Sequence, residues 1–457
     1  MLPDTQPAPP PNPLARYQKE VDVIFRATTG HIGAGRSYER LRHLCDVIGP
    51  RLSGSKNLEN AVEWTAETLR GYGLSVRKQP VMVPHWVRGD ESVTMTTPRA
   101  APLAMLGLGN SIGTPEGGIT AEVVVARNFD ELAALGTKVR GKIVLFDAAM
   151  PTYDAEKGSG YGKTVAYRVA GPSRAAAAGA VACLVRSVTA TSLSTPHTGM
   201  LRYAEDQPRI PAAAISVENA MMIRRLVEAG ETVTVRLAMD AHFEPDAPSA
   251  NVIADLVGTE LPDEVVIISG HLDSWDVGQG AHDDGGACMA VMEALHTLVE
   301  LGLRPRRTIR AVLFTNEENG LRGAHAYAAA HAEEAPHYQA AIEADSGVFR
   351  PLGFGVPAVT DERSARVRAR LDNVAALLVR YGAGRLREGG GGADIGPLKK
   401  FGVPLLGLQV EGSRYFDYHH THADTLDKVD PDELDLCSAT LAAMAFVLAD
   451  MPERLTD

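Results

Sequence analysis

The stretch from Val265 to Gly286 reads VVIISGHLDSWDVGQGAHDDGG and decides the fold. It opens with four consecutive apolar residues, a run typical of a buried strand, and continues directly into His271 and Asp273. A glycine-rich turn that carries Asp283 then leads into a long apolar segment typical of a helix. The sequence therefore predicts a strand and a helix joined by a loop with acidic and histidine side chains.

The same order recurs along the chain, where short apolar runs are followed at once by acidic or histidine side chains. The apolar runs are residues 309–314, 340–342 and 404–408, and helical patterns occupy residues 286–301, 363–381 and the segment from Pro431 onward. Strands that alternate with helices are typical of an α/β fold with a mostly parallel sheet flanked by helices. Ligands bind beyond the carboxyl ends of such strands, so the residues that follow the runs are candidate site residues.

The composition of the chain and the pattern of its apolar residues divide it into three parts. Residues 118–240 contain short β-rich runs around an alanine-rich helix, and no cluster of His, Asp or Glu has the spacing of metal ligands there. We therefore predict an inserted domain over 118–240 that acts as a lid or wall. Residues 17–117 and 241–457 would form one surrounding domain, and a Pro-rich tail would occupy residues 1–16.

Two helical patterns and a strand open the surrounding domain. An apolar stripe that includes Leu41 and Ile48 predicts a helix, with Ser37 available as its N-cap. A second helix is predicted from about Leu58 to Leu69, followed by a strand at residues 74–76.

Composition excludes several classes of protein. The 457 residues are 45% hydrophobic and 22% charged, which is typical of a globular chain. The 45 basic against 57 acidic residues give a net charge of −12, so a nucleic-acid partner is not expected. The apolar stretch at residues 175–185 is too short to cross a membrane, and no secretory signal is visible, which predicts a cytoplasmic protein unless the chain is processed. The four scattered cysteines are interpreted as buried thiols.

The strand-end residues have the chemistry of a metal site. Several carboxylates and imidazoles at one sheet edge would repel one another and lose hydration unless cations neutralised them. Imidazole and carboxylate ligands suit zinc, and Asp283 could bridge two ions. Two zinc ions would bring four positive charges against three negative charges from Asp283, Glu318 and Asp345, and one hydroxide would make the site neutral.

The adjacent pair Glu317 and Glu318 matters most for mechanism. One carboxylate can bind a metal, whereas its neighbour must stay free to move a proton from water to the leaving amine. We assign Glu317 as the base and Glu318 as the ligand. Asp273 lies two residues after His271, where its carboxylate could accept the second imidazole N–H and fix the tautomer.

Other polar residues near these motifs have simpler interpretations. His282, His419 and His422 are expected to support the site from outside or to face solvent. Asp284 is interpreted as a helix N-cap rather than a ligand. The run Gly389–Gly392 is interpreted as a flexible loop, because it lacks the strand and helix of a dinucleotide site.

In order along the chain, these motifs resemble those of the co-catalytic zinc exopeptidases. The resemblance rests on the stretches 269–286, 316–318, 343–345 and 419–425, and covers nearly the whole chain after the tail. It implies an α/β zinc-peptidase domain interrupted by a β-rich protease-associated insert. It also implies two zinc ions per subunit, a peptide substrate and a possible homodimer.

The resemblance also assigns roles to individual residues. It implies Asp283 as the bridging ligand and His271 with Glu318 or Asp345 as terminal ligands. His420 is implied as the other imidazole, because it stands four residues before Asp424. Glu317 resembles the catalytic base and Asp273 the orienting carboxylate, whereas His282 stands where a neutral residue is usual.

We therefore predict a zinc-dependent exopeptidase that hydrolyses dipeptides or short peptides, of the carboxypeptidase or dipeptidase type. An aminopeptidase fits the same metal ligands equally well. A deacylase or amidase acting on a nonpeptide amide is a third possibility. A noncatalytic binding protein on the same fold is the rival from another class, although all five expected ligands and the expected base are present.

Overall fold

The computed structural model describes residues 12–31 and 33–457, and sixteen strands are present in these ranges. The strands are β1 (Ser75–Val87), β2 (Glu91–Thr97), β3 (Ala101–Leu103), β4 (Met105–Gly107), β5 (Ile119–Ala126), β6 (Ile143–Phe146), β7 (Ala182–Arg186), β8 (Ala212–Ile215), β9 (Thr234–Met239), β10 (His242–Leu256), β11 (Leu261–His271), β12 (Arg307–Phe314), β13 (Ala340–Glu343), β14 (Pro351–Val356), β15 (Arg385–Glu388) and β16 (Leu405–Val410).

The α-helices of the described ranges surround and connect these strands. They are α1 (Gln18–Thr29), α2 (Arg36–Arg42), α3 (Lys56–Gly71), α4 (Phe129–Leu135), α5 (Tyr161–Val169), α6 (Gly171–Ala177), α7 (Val217–Glu228), α8 (Gly286–Glu300), α9 (Arg322–Ala330), α10 (Glu362–Leu378), α11 (Tyr415–Tyr418) and α12 (Pro431–Asp450). The helix α12 begins as the sequence predicts, because the Asp430 carboxylate accepts hydrogen bonds from two N–H groups of its first turn.

The first sheet is mixed and has the order β1-β10-β12-β11-β13-β16-β14-β15. Its central strands β12, β11, β13 and β16 are parallel and apolar, with α8 and α12 packed together among the core helices. The register places His271 beside Phe314 and Ser269 beside Glu343. The segments that follow these three strands therefore begin at one edge of the sheet, and the prediction of an α/β fold is confirmed.

The second sheet is built largely from the segment predicted as an insert, but it also includes residues that precede the predicted start of that segment. Its order is β3-β2-β9-β5-β6-β7-β8-β4, so residues 91–107 belong to it. The predicted boundary at residue 118 is therefore wrong, because β2 pairs with β9 and β4 pairs with β8. Trp86 and Trp275 pack into the core of this sheet from outside the segment. That the predicted insert forms a separate domain stays a prediction.

The N-terminal expectations are partly corrected. Residues 1–11 of the predicted tail lie outside the described residues, but Leu14 is buried and a 3₁₀ turn covers Ala15–Tyr17, so a tail that reaches residue 16 is too long. Ser37 is not an N-cap, because Gly35 precedes α2 and the Ser37 hydroxyl lies 3.0 Å from that of Ser438. The sequence reasoning also missed α1.

Two expectations from composition can be compared with the structure. Across the described residues, we find no helix with both the length and the apolar character that a membrane crossing requires. The four cysteines are buried free thiols, as predicted.

Candidate metal centre

The first imidazole of the site is fixed by the end of β11. His271 is the last residue of this strand, and its backbone N–H donates to the Asp284 carboxylate at 3.0 Å. Its Nε2 lies 3.2 Å from Asp283 Oδ1 and 3.6 Å from Asp345 Oδ1. His271, Asp283 and Asp345 thus form one compact set of possible ligand atoms, which we call the strand-side set.

The second imidazole comes from the loop after α11. His420 has a φ of 62°, an uncommon value for a residue with a side chain. Its Nε2 lies 3.2 Å from Asp283 Oδ2 and 3.1 Å from Glu318 Oε2. His420, Asp283 and Glu318 form the loop-side set. Asp283 therefore presents one oxygen to each set, with Asp345 beside His271 and Glu318 beside His420.

Asp273 supports the site in a different way from the one predicted. His271 Nδ1 lies 2.9 Å from the Asp273 backbone carbonyl but 4.0 Å from its carboxylate. The carboxylate instead accepts the backbone N–H groups of Glu317 at 3.0 Å and Glu318 at 3.2 Å. The prediction that the Asp273 side chain fixes the imidazole tautomer is wrong, because that contact is made by its main chain. The side chain positions the glutamate pair.

Two further aspartates hold the backbone of the site, Asp424 beside the bridging candidate and Asp284 beside His271. Asp424 accepts the backbone N–H of His282 at 2.8 Å and that of Asp283 at 3.1 Å. Asp284 is not the N-cap of α8, because Gly285 occupies that position and the Asp284 side chain turns toward His271. Sequence reasoning used Asp424 only to select His420, so its role in holding the turn was missed.

The remaining histidines near the site differ in how deeply they are buried. His422 is exposed, which agrees with the second of its two predicted roles, facing solvent. His282 is buried between Phe349 and Tyr418, and its ring nitrogens contact backbone groups. His419 is buried and stacks on His420, with Nε2 3.7 Å from Asp283 Oδ2. Both buried rings therefore support the site from beside it rather than facing solvent.

The glycine run also has a packing role. A Cβ on Gly392 would lie 1.9 Å from Glu343 Oε1, and one on Gly390 would lie 2.4 Å from the Leu405 carbonyl. The interpretation of Gly389–Gly392 as only a flexible loop therefore misses that two of its glycines allow close approach to the sheet.

The charges of the site are strongly coupled. Burial alone would lower the pKa of His420, but Glu318 and Asp283 outweigh it and raise the pKa to about 10. Burial and the neighbouring Asp283 raise the pKa of Glu318 to about 7. Burial, together with repulsion from Asp345 and Glu318, raises the pKa of Glu317 well above its ordinary value. So many buried carboxylates are stable as anions only beside compensating cations.

The donor set fits zinc. The ligand atoms of the strand-side set lie within 4.8 Å of one another, as do those of Asp283 and His420 in the loop-side set, with His419 close to both of these residues. Glu318 Oε1 and Asp283 Oδ2 are buried and have no hydrogen-bond partner among the described residues. Imidazole nitrogens and carboxylate oxygens without thiolates are common zinc ligands.

A cavity of about 410 Å³ opens beside both sets. Glu317, Glu318 and Asp345 line one side, and Tyr161 and Arg168 of α5 line another. The segment predicted as a lid or wall therefore contributes directly to the wall of the site. Arg168 was missed by sequence reasoning, because an arginine on a short helix is usually solvent-exposed.

Curated relatives match nearly the whole chain. Carboxypeptidase Q from Mus musculus is 43% identical over 443 residues, which cover 97% of this chain and 92% of the relative. Carboxypeptidase Q from Xenopus laevis is also 43% identical, with the same coverage. The family model described as peptidase family M28 matches residues 251–445, which contain every predicted site residue. The chain belongs to peptidase family M28.

Solved structures agree with membership of family M28. The Peptidase M28 precursor from Shewanella amazonensis has a TM-score of 0.90 and 34% identity, with 96% of this chain and 98% of that chain covered. The zinc aminopeptidase BSAP from Bacillus subtilis has a TM-score of 0.66 at 19% identity, with 92% and 96% covered, and shares the fold. The predicted resemblance and the prediction of a metallopeptidase are confirmed.

Proposed function

We propose that this M28 metallopeptidase is an exopeptidase of the carboxypeptidase or dipeptidase type that uses two zinc ions per subunit. One observation carries the proposal: Asp283 presents one carboxylate oxygen to His271 and the other to His420, and Glu317 lines the cavity beside them. The full-length similarity to Carboxypeptidase Q supports hydrolysis at a chain end.

The ligands would divide into the two sets described above. His271 and Asp345 would hold one ion, His420 and Glu318 the other, and Asp283 would be shared. Bound zinc would supply Lewis acidity that polarises the scissile carbonyl and stabilises developing negative charge. The buried histidines must be neutral to bind, so the metals would displace protons from these rings.

Glu317 is the residue that would move the proton. Its backbone is fixed by Asp273, and its neighbour Glu318 faces His420, so the Glu317 carboxylate stays available to the cavity. It would accept a proton from the attacking water and deliver it to the nitrogen of the leaving amine. One carboxylate thus serves as base and then as acid.

An aminopeptidase is the second candidate, because fold neighbours such as BSAP carry that activity in their description. The two activities differ in which chain terminus the cavity must accept. A homodimeric assembly, the absence of a nucleic-acid or membrane partner, and a cytoplasmic location stay predictions.

The direct test combines elemental analysis with a dipeptide panel. The full chain should bind zinc at two equivalents and hydrolyse a dipeptide whose N-terminus is acetylated. It should lose most activity on the same dipeptide when the C-terminus is amidated. The opposite preference would identify an aminopeptidase. Cleavage of the unblocked dipeptide alone would identify a dipeptidase, and cleavage of none of the three peptides would overturn the proposed function.

A further inference from the structure

Arg168 is a buried cation without a buried anion to match it. The residue is only 6% exposed, and none of its described hydrogen-bond partners is an anion. Nη2 donates to the Tyr161 hydroxyl at 2.7 Å, and Nη1 lies 3.5 Å from the Thr198 carbonyl. Its Nε is buried and has no partner among the described residues. A buried charge in this state is costly unless an anion joins it.

The guanidinium lies at the cavity that holds the metal-ligand candidates. Nη1 is 3.5 Å from His420 Nδ1, on the side of the ring opposite the nitrogen that faces Asp283 and Glu318. Arg168 therefore lines the same space as Glu317. An anion bound there would be separated from Asp283 and Glu318 by the imidazole ring of His420.

The surrounding backbone leaves room for this arrangement. Gly199 has a φ of 131°, and a Cβ at this position would lie 2.3 Å from Arg168 Nη1 and 2.4 Å from its Cζ. A side chain at position 199 would therefore displace the guanidinium. Tyr161, seven residues before Arg168 on the same face of α5, holds it from the other side.

We propose that Arg168 binds the C-terminal carboxylate of the substrate, with Gly199 and Tyr161 as positioning residues. The inference rests on the proposed function and deepens it, because it assigns the group that would distinguish a free C-terminus from a blocked one. A guanidinium offers paired donors that match the two oxygens of a carboxylate. The positive charge also repels the free amine that an aminopeptidase would have to accept at the same place.

The neighbouring cavity offers a rival cation. Arg387 lines a space of about 230 Å³ that shares Asp345 with the first cavity. It is partly exposed on β15, so solvent compensates its charge, whereas Arg168 has no such compensation. This difference in burial favours Arg168.

The test measures binding separately from turnover. In the zinc-loaded full chain carrying Glu317→Gln, calorimetry would compare an N-acetyl dipeptide with its C-terminal amide. We expect the free acid to bind more tightly than the amide. Adding Arg168→Gln should weaken binding of the acid by about 10- to 100-fold and leave binding of the amide within about threefold. Arg168→Lys should restore part of the loss.

Matched variants separate recognition from structure. Gly199→Ala should reproduce the selective loss, and Arg174→Gln on the adjacent helix, an exposed arginine, should not. Equal loss of acid and amide binding, or selective loss with Arg387→Gln instead, would overturn the assignment. Selective binding by a chain that hydrolyses no peptide would uphold the role of Arg168 while refuting the proposed function. Turnover that keeps its preference for the free acid after Arg168→Gln would do the reverse.

Discussion

The two halves of the candidate metal centre are built differently. The strand-side set rests on His271 at the end of a buried central strand, within one sheet. The loop-side set rests on His420, which lies in a loop, and whose backbone carbonyl accepts the Thr198 N–H at 3.0 Å. His420 Nδ1 also lies 3.3 Å from the Thr198 carbonyl. One half is therefore determined by the sheet, and the other depends on a contact with the segment that contains the second sheet.

The largest expected effect is at the residue that both halves share. Asp283→Asn removes the charge that faces His271 and His420, so both zinc ions should be lost and activity should fall below the level of any other single variant proposed here. Elemental analysis and peptide hydrolysis provide the measurement. Asp372→Asn, an exposed carboxylate on α10, is the control and should change neither quantity. Retention of one full equivalent of zinc would show that the halves bind independently.

Removal of the base should separate chemistry from metal binding. Glu317→Gln keeps the shape of the side chain but not its ability to take a proton, so kcat should fall by about 10²- to 10⁴-fold. Zinc content should stay the same, because neither half uses this side chain as a ligand. A near-normal rate would refute the assigned base, and a loss of zinc would place Glu317 among the ligands.

The loop-side half should also make the stability of the fold and the binding of zinc depend on pH. In the zinc-free chain the pKa of His420 is raised from 6.5 to about 10, because Glu318 and Asp283 outweigh the effect of burial. A group with a raised pKa stabilises the fold fully below pH 6.5, and this stability is lost as the pH rises toward 10. Zinc needs the neutral imidazole, so its binding strengthens as the pH rises.

We therefore expect the increase in Tm caused by zinc to grow as the pH rises through this window. Differential scanning calorimetry of zinc-free and zinc-loaded chains would measure it. His242→Gln removes an exposed histidine and should preserve the trend. An increase in Tm that does not change with pH would contradict the assignment of His420 as a ligand that loses a proton.

The smallest expected effect lies at Thr198, whose backbone contacts His420 and whose side chain binds β4 of the second sheet. The buried Thr198 hydroxyl donates to the Gly107 carbonyl at 2.7 Å. Thr198→Val keeps the shape but removes this bond, so the free energy of unfolding should fall by about 1 kcal/mol. Urea denaturation would measure the change. Zinc titration should show weaker binding of one ion only. Equal weakening of both ions would contradict the view that only the loop-side half depends on the second sheet.

The sequence alone predicted most of the candidate site, since the residues that follow parallel strands meet at one edge. His271, Glu317, Glu318 and Asp345 could be found in this way because an apolar run precedes each of them. The sequence could not show that the backbone of Asp273 contacts His271 while its carboxylate turns to the glutamate pair. These two contacts of Asp273 depend on where the loop after β12 lies in space.

Two further outcomes depended on packing between distant segments. The start of the second sheet at residue 91 was not visible, because β2 and β4 acquire their place only by pairing with strands more than 100 residues away, and β3 pairs with β2. Likewise, Arg168 has no motif around it. Its importance follows from burial beside His420, which lies 252 residues further along the chain.

The sequence by itself determined the class of fold and predicted the types of metal ligand and the residue proposed as the base, because strand periodicity and residue type are local properties. Only the tertiary structure decided how Asp283 divides its two oxygens, which histidine of the adjacent pair faces Glu318, and which cation stands at the cavity. These depend on distances between segments that local sequence patterns do not encode, since they are set by how the loop at residue 420, the second sheet and the strand ends pack together.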